Sequence, residues 1–450
     1  MSVRTPRRSR GVALCSGREV AVRVLERVER DGAFASVGLD AELGRHPGLD
    51  SRERALAAEL TYGCLRTGPA IEARLRTLAP RGIAGDDRRV RLELVVAAYQ
   101  ILFLDRVPAH AAVDAAVGAL RRQRGGRVAG FANAVLRRLS VQPPPLSFAA
   151  AVVESCPTWL RARLAGTLGD DAMLSLLGAR SGSREGTGPP PLGALSLRLL
   201  EGRDVPDWLA DARSGLVSPR CRWVVGRGDP RSLGGYAEGA FVVQEEGAQL
   251  VGLALGARPG ERVLDACAGR GQKTSLLREQ VGPEAQLWAT DYYPAKLGQL
   301  ETEFARLALA PPVTQAVDLT AGCGTIPDQF DRVLVDAPCT GVGTLRRRPE
   351  IARRLAPEDP ARLGELAVRI LRRSASRARP GGRVVFAVCS VLPEECEQVV
   401  EGVLDVLEPI PFDAPEVARV APPGATSVRL VPAEHGTDGY FVASFQRRPA

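Results

Sequence analysis

The chain has 450 residues, 45% hydrophobic and 25% charged, with a net charge of +8. That length exceeds what one hydrophobic core usually serves, so two or more domains are expected, and no run of about 18 apolar residues marks a membrane span. Three scattered histidines (His46, His110, His435) and nine cysteines, none paired as CxxC, argue against a zinc site or a disulfide framework, so no metal is expected.

The charge is unevenly placed. Residues 1–140 carry 25 basic and 15 acidic side chains, and the remainder carry 35 and 37. The positive field of the N-terminal third points to a polyanionic partner, nucleic acid first, against the plainer explanation that arginines merely solvate helices. Residues 1–14 have the composition of a flexible basic arm. No apolar signal core follows them, so a cytoplasmic monomer with no membrane partner is expected.

From 15 to 140 the pattern is helical. In EVAVRVLERVE, Val20, Val24, Leu25 and Val28 share one face. VRLELVVAAYQILFL (90–104) is apolar nearly all round, as the central helix of a bundle would be. Pro108 starts the next helix and Gly125-Gly126 breaks it. The segment closes on FANAVLRRLS with a basic outer face. Arg121, Arg122, Arg124, Arg137 and Arg138 are its candidate phosphate contacts, which position rather than specify. Residues 141–240 form a connecting subdomain: Pro143-Pro144-Pro145 marks a boundary and SREGTGPPPLG reads as a loop. PTWLRARLAGTLGDDAMLSLLGAR is helical in pattern, and LSLRLL (195–200) is a strand candidate.

From 241 to 450 the rhythm becomes strand, loop, helix. ERVLDACA, AQLWATD, PVTQAVD, FDRVLVD and GRVVFAVCS are apolar runs separated by helical stretches, which predicts a parallel, doubly wound sheet. SVRLV and GYFVASFQR resemble a terminal pair of strands. In such a sheet ligands sit beyond the C-terminal strand ends. The first of these ends, at Asp265, opens into Cys267, Ala268, Gly269, Arg270, Gly271, Gln272 and Lys273, where glycines let backbone approach a ligand. Asp291 ends the second strand and is suited to ribose hydroxyls. Asp318 ends the third, near an adenine. A GxG suits nicotinamide, flavin and S-adenosylmethionine sites alike, and GxGxxG is missing. Any one Asp also suits a turn or helix cap, but three at successive strand ends point to an adenosine-type ligand.

The fourth strand ends in Asp336-Ala337-Pro338-Cys339 and the fifth in Cys389-Ser390. Two thiols and a carboxylate beside a methyl donor suit one difficult reaction. Cytosine C5 is a poor nucleophile until a thiolate adds to C6. Asp336, if protonated, is placed to steady the charge at N3 and N4. Lys273 is placed to orient Asp336 or to favour a thiolate. Only Lys273 and Lys296 are lysines among 60 basic residues, which marks positions where a compact ammonium is wanted rather than a planar fork.

VLDACAGRGQKT, VDAPCTGVGTLRRRPEI and FAVCSVLPEECEQVV resemble the motifs of the bacterial ribosomal RNA cytosine-5 methyltransferases of the RsmB (Sun) type. VVQEEGAQL and GTDGYFVASFQR are similar to that family's flanking segments, and ELTYGCLR, AAYQILFLDRVPAHAAVDAAV and GFANAVLRR to its NusB-like helical domain. The resemblance implies a Rossmann-like methyltransferase sheet preceded by an all-α NusB-like domain. It also implies S-adenosyl-L-methionine as cofactor and small-subunit ribosomal RNA as substrate. By matching motif it gives Cys389 as nucleophile, Cys339 as the thiol that assists product release, and Cys267–Lys273 with Asp291, Asp318 and Asp336 as cofactor contacts. Arg346, Arg347 and Arg348, just past the Pro-Cys motif, are candidates to hold phosphates flanking a flipped base. The family loop usually reads CAAPGGKT where this chain has CAGRGQKT, and ATCS where it has AVCS. Two alternatives remain open. One is a DNA cytosine-5 enzyme, which would use the Pro-Cys thiol. The other is a non-catalytic RNA-binding protein. Aminomethylation would need a Pro-Pro-aromatic motif that is not found here.

Overall fold

The computed structural model describes residues 15–79, 87–143, 145–180 and 190–449. The expected basic arm (1–14) and most of the SREGTGPPPLG loop lie outside the described residues. The chain divides into two compact units, Met1–Ser155 and Cys156–Ala450.

The first unit is all helical: α1 (Gly17–Asp31), α2 (Ala35–Arg45), α3 (Ser51–Leu78), α4 (Arg88–Phe103), α5 (Ala109–Arg124), α6 (Gly126–Val141) and α7 (Phe148–Ser155). Helix α1 starts where the Ser16 hydroxyl accepts from Glu19 N at 3.3 Å, and it stops at Gly32, whose φ of +63° suits a residue without Cβ. Val20, Val24, Leu25 and Val28 are buried, as their spacing predicts. On α4, Leu92 through Gln100 are buried without interruption, so this helix forms the centre of the unit. Gly125 (φ +85°) makes the break between α5 and α6. Arg121, Arg122, Arg124, Arg137 and Arg138 are all exposed. Helix α7 lies beyond the segment that the helical pattern marked. It packs through an edge-on Phe103–Phe148 contact at 5.7 Å and through Ser155, whose hydroxyl accepts from Ala70 N at 3.2 Å.

The second unit begins with α8 (Thr158–Leu168) and α9 (Asp170–Leu176), then β1 (Leu195–Leu199), α10 (Asp207–Ala210), β2 (Arg213–Ser214), β3 (Cys221–Val224) and β4 (Phe241–Val243). These strands pair antiparallel in the order β2-β3-β1-β4. Of this small sheet the sequence pattern marks only β1, because the others are two to four residues long and leave no periodic signal.

The main sheet follows with α11 (Glu246–Ala254), β5 (Val263–Asp265), α12 (Gln272–Val281), β6 (Leu287–Asp291), α13 (Pro294–Arg306), β7 (Val313–Ala316) and β8 (Phe330–Asp336). The chain continues through α14 (Asp359–Ala375), β9 (Ala378–Val388), α15 (Glu397–Glu401), β10 (Leu407–Pro409), β11 (Ser427–Leu430), α16 (Pro432–His435) and β12 (Tyr440–Arg447). Strand order is β10-β12-β9-β8-β5-β6-β7, with β11 also pairing β12. Strands β5 to β9 run parallel, and β12 is antiparallel to β9. Val333, Leu334, Val335 and Val384 through Val388 are fully buried, which is why these strands read as unbroken apolar runs. After β7 the chain returns to the other side of β5 to form β8. That reversal opens a crevice at the C-terminal ends of β5 and β8, where ligands bind in open α/β sheets. Arg198 on β1 is fully buried and anchors the small sheet to α12. It donates to Gln244 Oε1 and Ser275 Oγ at 2.7 Å each and pairs with Glu279.

Candidate active site

The loop after β5 is shaped by two glycines. Gly269 has φ +57° with open space where a Cβ would point, while a Cβ on Gly271 (φ +81°) would lie 2.5 Å from Leu300. Gly271 caps the N-terminus of α12, and Gly269 N donates to Asp291 Oδ2 at 3.0 Å. Asp291 is buried. It also accepts from Tyr293 N at 2.9 Å and pairs with Lys296 at 3.3 Å. Asp265, the last residue of β5, accepts from Thr274 Oγ1 at 2.7 Å, yet its Oδ1 is buried with no hydrogen-bond partner. Burial pushes its carboxyl up to about 7 despite that bond and the nearby Lys273. Burial likewise holds the Cys267 thiol protonated, reinforced by Asp265 and Asp336. An orphaned acceptor, a glycine with open space beside it and a carboxylate at a strand end fit the polar edge of an adenosine-type ligand. Arg270 and Gln272 are exposed, and Gln272 Nε2 donates to Val243 O at 2.8 Å. Ala268 is buried, its N–H bound to Thr290 O at 2.8 Å. Asp318 is exposed two residues beyond β7 and accepts from both the N–H and the hydroxyl of Thr320.

The adjacent strands β8 and β9 bring the chemistry together. Lys273 Nζ lies 2.6 Å from Asp336 Oδ2. Burial opposes the lysine's charge, but Asp336, with further help from Asp265 and Cys389, outweighs it and raises its pKa. Cys339, three residues past β8, and Cys389, one past β9, are part-buried with their sulfurs 3.3 Å apart. The hydrogen bond with Cys389, together with burial, keeps the Cys339 thiol protonated far above its ordinary range. Burial, and then the neighbouring Glu245, hold the Tyr440 phenol protonated.

Sequence reasoning missed several of these groups. The sequence marks Asp265 as one of three successive strand-end aspartates but not as a cofactor contact, and no sequence signal marks the buried, unpartnered oxygen it carries. Lys296 stood out only as one of two lysines; both now prove to pair with carboxylates of this crevice. Buried Glu395 accepts from Thr340 and Ser390, the neighbours of the two cysteines, but in PEECE it looks like part of a solvated acidic run. One expectation meets a different environment: Arg346 is buried, only 5% exposed, unlike the two arginines that follow it. Arg347 and Arg348 are exposed, and Arg347 Nε donates to Asp438 Oδ2 at 2.8 Å. Among the described residues no cluster suits a metal ion, and no helix is long and apolar enough to cross a membrane.

Comparison with known proteins matches residues 252–446 to the family described as 16S rRNA methyltransferase RsmB/F and residues 16–140 to the NusB family. The ribosomal RNA small subunit methyltransferase B of Shewanella oneidensis is 30% identical over 434 residues, 95% of this chain and 98% of its own. The protein of the same name from Thermus thermophilus is 34% identical over 434 residues, covering 96% and 97%. The crystal structure of PH0851, at 21% identity, covers 95% of this chain and 98% of its own with a TM-score of 0.78, and so shares its fold.

Proposed function

This chain belongs to the 16S rRNA methyltransferase RsmB/F family, and from that premise we propose that it methylates C5 of a cytosine in small-subunit ribosomal RNA, with Cys389 as the nucleophile. The observation that carries this reading is the pair of sulfurs 3.3 Å apart at the ends of neighbouring parallel strands, beside the Lys273–Asp336 pair.

The loop Cys267–Lys273, with Asp265, Asp291 and the strand end at Asp336, holds S-adenosyl-L-methionine. When bound, that cofactor supplies an electrophilic methyl group carried on a sulfonium. Asp318 belongs to the same rim through its turn. Cys389 adds through Sγ to C6 of the cytosine, which makes C5 electron-rich. Asp336, oriented by Lys273, serves the N3 and N4 edge as charge develops there. Once C5 is methylated, its proton passes to a base and the C6–Sγ bond breaks with its electron pair returning to Cys389, while Cys339, held as a thiol, donates a hydrogen bond to the departing sulfur. Arg121, Arg122, Arg124, Arg137 and Arg138 on the helical unit, with Arg347 and Arg348, contact RNA phosphates.

Transfer of tritiated methyl from S-adenosylmethionine to unmodified small-subunit ribosomal RNA, followed by nucleoside analysis, tests this directly. The expected product is 5-methylcytosine. A DNA-directed enzyme would instead label DNA and depend on Cys339.

A further inference from the structure

Cys339 and Cys389 lie in separate loops, 50 residues apart, and neither sulfur is carried by a helix or strand. Position in a loop does not by itself fix the separation of two sulfurs, so contacts around them must set it. One tie is backbone: Gly343 N donates to Cys389 O at 3.0 Å. The other is a side chain. Glu395 sits in the turn Pro393–Glu395 after β9, only 1% exposed. Its Oε1 accepts from Thr340 N at 2.6 Å, and its Oε2 from Thr340 Oγ1 at 2.6 Å and from Ser390 Oγ. Thr340 follows Cys339 and Ser390 follows Cys389. One carboxylate therefore grips the residue next to each thiol.

Among the described residues no cation pairs with this carboxylate. A buried carboxylate needs its lone pairs filled, and here neutral N–H and O–H donors fill them. A lysine or arginine in that place would pull both thiols toward thiolate, whereas neutral donors fix geometry and leave the sulfurs' charge to their own surroundings. Burial raises the Glu395 pKa against the pull of Ser390 and Thr340.

We propose that Glu395 is a positioning residue that clamps the Cys339 and Cys389 loops together and so sets the spacing of the two thiols. It touches neither thiol, and it acts through Thr340 and Ser390. The consequence for methyl transfer rests on the reading of the two cysteines given above; the spacing itself does not.

Phenylarsine oxide tests the spacing without RNA. Its arsenic binds two thiols at once, forming two As–S bonds and releasing its oxygen with the two thiol protons as water. Wild type is expected to take up one tight equivalent that disappears in Cys339→Ser. In Glu395→Ala that site is expected to weaken at least about tenfold, because the second As–S bond loses its preorganised partner. Glu395→Gln, which keeps the shape and can still bridge the hydroxyls, should retain it, and S-adenosylmethionine affinity should be unchanged in both. If Glu395→Ala does not fold, Ser390→Ala combined with Thr340→Val removes the hydroxyl contacts and is expected to weaken arsenical binding likewise. Undiminished arsenical binding in the folded variant overturns the clamp. Arsenical binding that follows Glu395 in an enzyme that transfers no methyl would sink the proposed function and leave the clamp standing.

Discussion

The two sides of the crevice are built differently. On the β5–β6 side, Asp291 is held by a lysine and by backbone N–H groups, and Asp265 keeps a buried oxygen without a partner. On the β8–β9 side the thiols are braced by a buried Glu395 whose donors are all neutral, while Lys273 is committed to Asp336. The contrast separates two requirements. Holding a polar ligand needs charge and open hydrogen-bonding capacity at a strand end. Holding two thiols side by side needs a fixed distance with little added charge, because a free cation would lower the pKa of both.

The sharpest way to break this contrast is on the thiol side. Cys389→Ala is expected to lower methyl transfer at least about a thousandfold, as for removal of other covalent nucleophiles. Cys339→Ala is expected instead to accumulate a protein–RNA adduct visible on a denaturing gel. Equal loss without adduct in both variants would erase the distinction between the thiols.

Next in size is the ion pair that joins the two sides. Lys273→Met leaves the Asp336 carboxylate of a largely buried pair without its partner, which is expected to cost roughly 3 kcal/mol of stability, and the lost orientation of Asp336 is expected to lower kcat/KM on the order of a hundredfold. Lys273→Arg should recover little of that, since a planar fork replaces a compact ammonium. Full recovery would show that charge alone matters there.

A smaller effect sharpens the cofactor side. Asp265 titrates near 7 in the folded protein against an ordinary 3.8, so the folded state keeps a proton that the unfolded chain has released. Its contribution to stability is therefore greatest below about 3.8, declines as pH rises toward 7, and changes no further above that. Asp265→Asn should flatten the stability profile between those limits. All four tryptophans (Trp159, Trp208, Trp223, Trp288) belong to the second unit, so their fluorescence reports its unfolding alone. An unchanged slope would mean that Asp265 is ionised in the fold.

Smallest is the helical unit. Arg137→Gln with Arg138→Gln should weaken RNA binding only a few-fold. It should also reduce the salt dependence by about 0.7 to 0.9 per lost phosphate contact. Weakening without a change in slope would remove these two from the phosphate contacts.

Much of this architecture was legible because its signals are local. The apolar runs of β8 and β9, the Gly125 break and the buried stripe of α1 each follow from a few consecutive residues. The strand-end rule found Asp291, Asp336, Cys339 and Cys389, and the rarity of lysine pointed at Lys273 and Lys296. What stayed hidden depends on contacts distant in sequence. Arg198 reaches Ser275 and Glu279 across about eighty residues, and Glu395 reaches back to Thr340. The charge of Arg346 gave no sign that its side chain would be buried, nor did PEECE distinguish buried Glu395 from the half-buried Glu394 and Glu397. The short strands β2, β3 and β4 escaped because pairing, not periodicity, defines them.

The central claim is that Cys389 forms the bond to cytosine, and a substrate that cannot complete the reaction tests it most directly. In small-subunit ribosomal RNA transcribed with 5-fluorocytidine, methylation leaves fluorine where the C5 proton would depart, so the enzyme stays attached through its nucleophile. With S-adenosylmethionine present, a complex resistant to denaturation is expected from wild type and from Cys339→Ala, and none from Cys389→Ala. A complex that persists in Cys389→Ala and vanishes in Cys339→Ala would contradict the account.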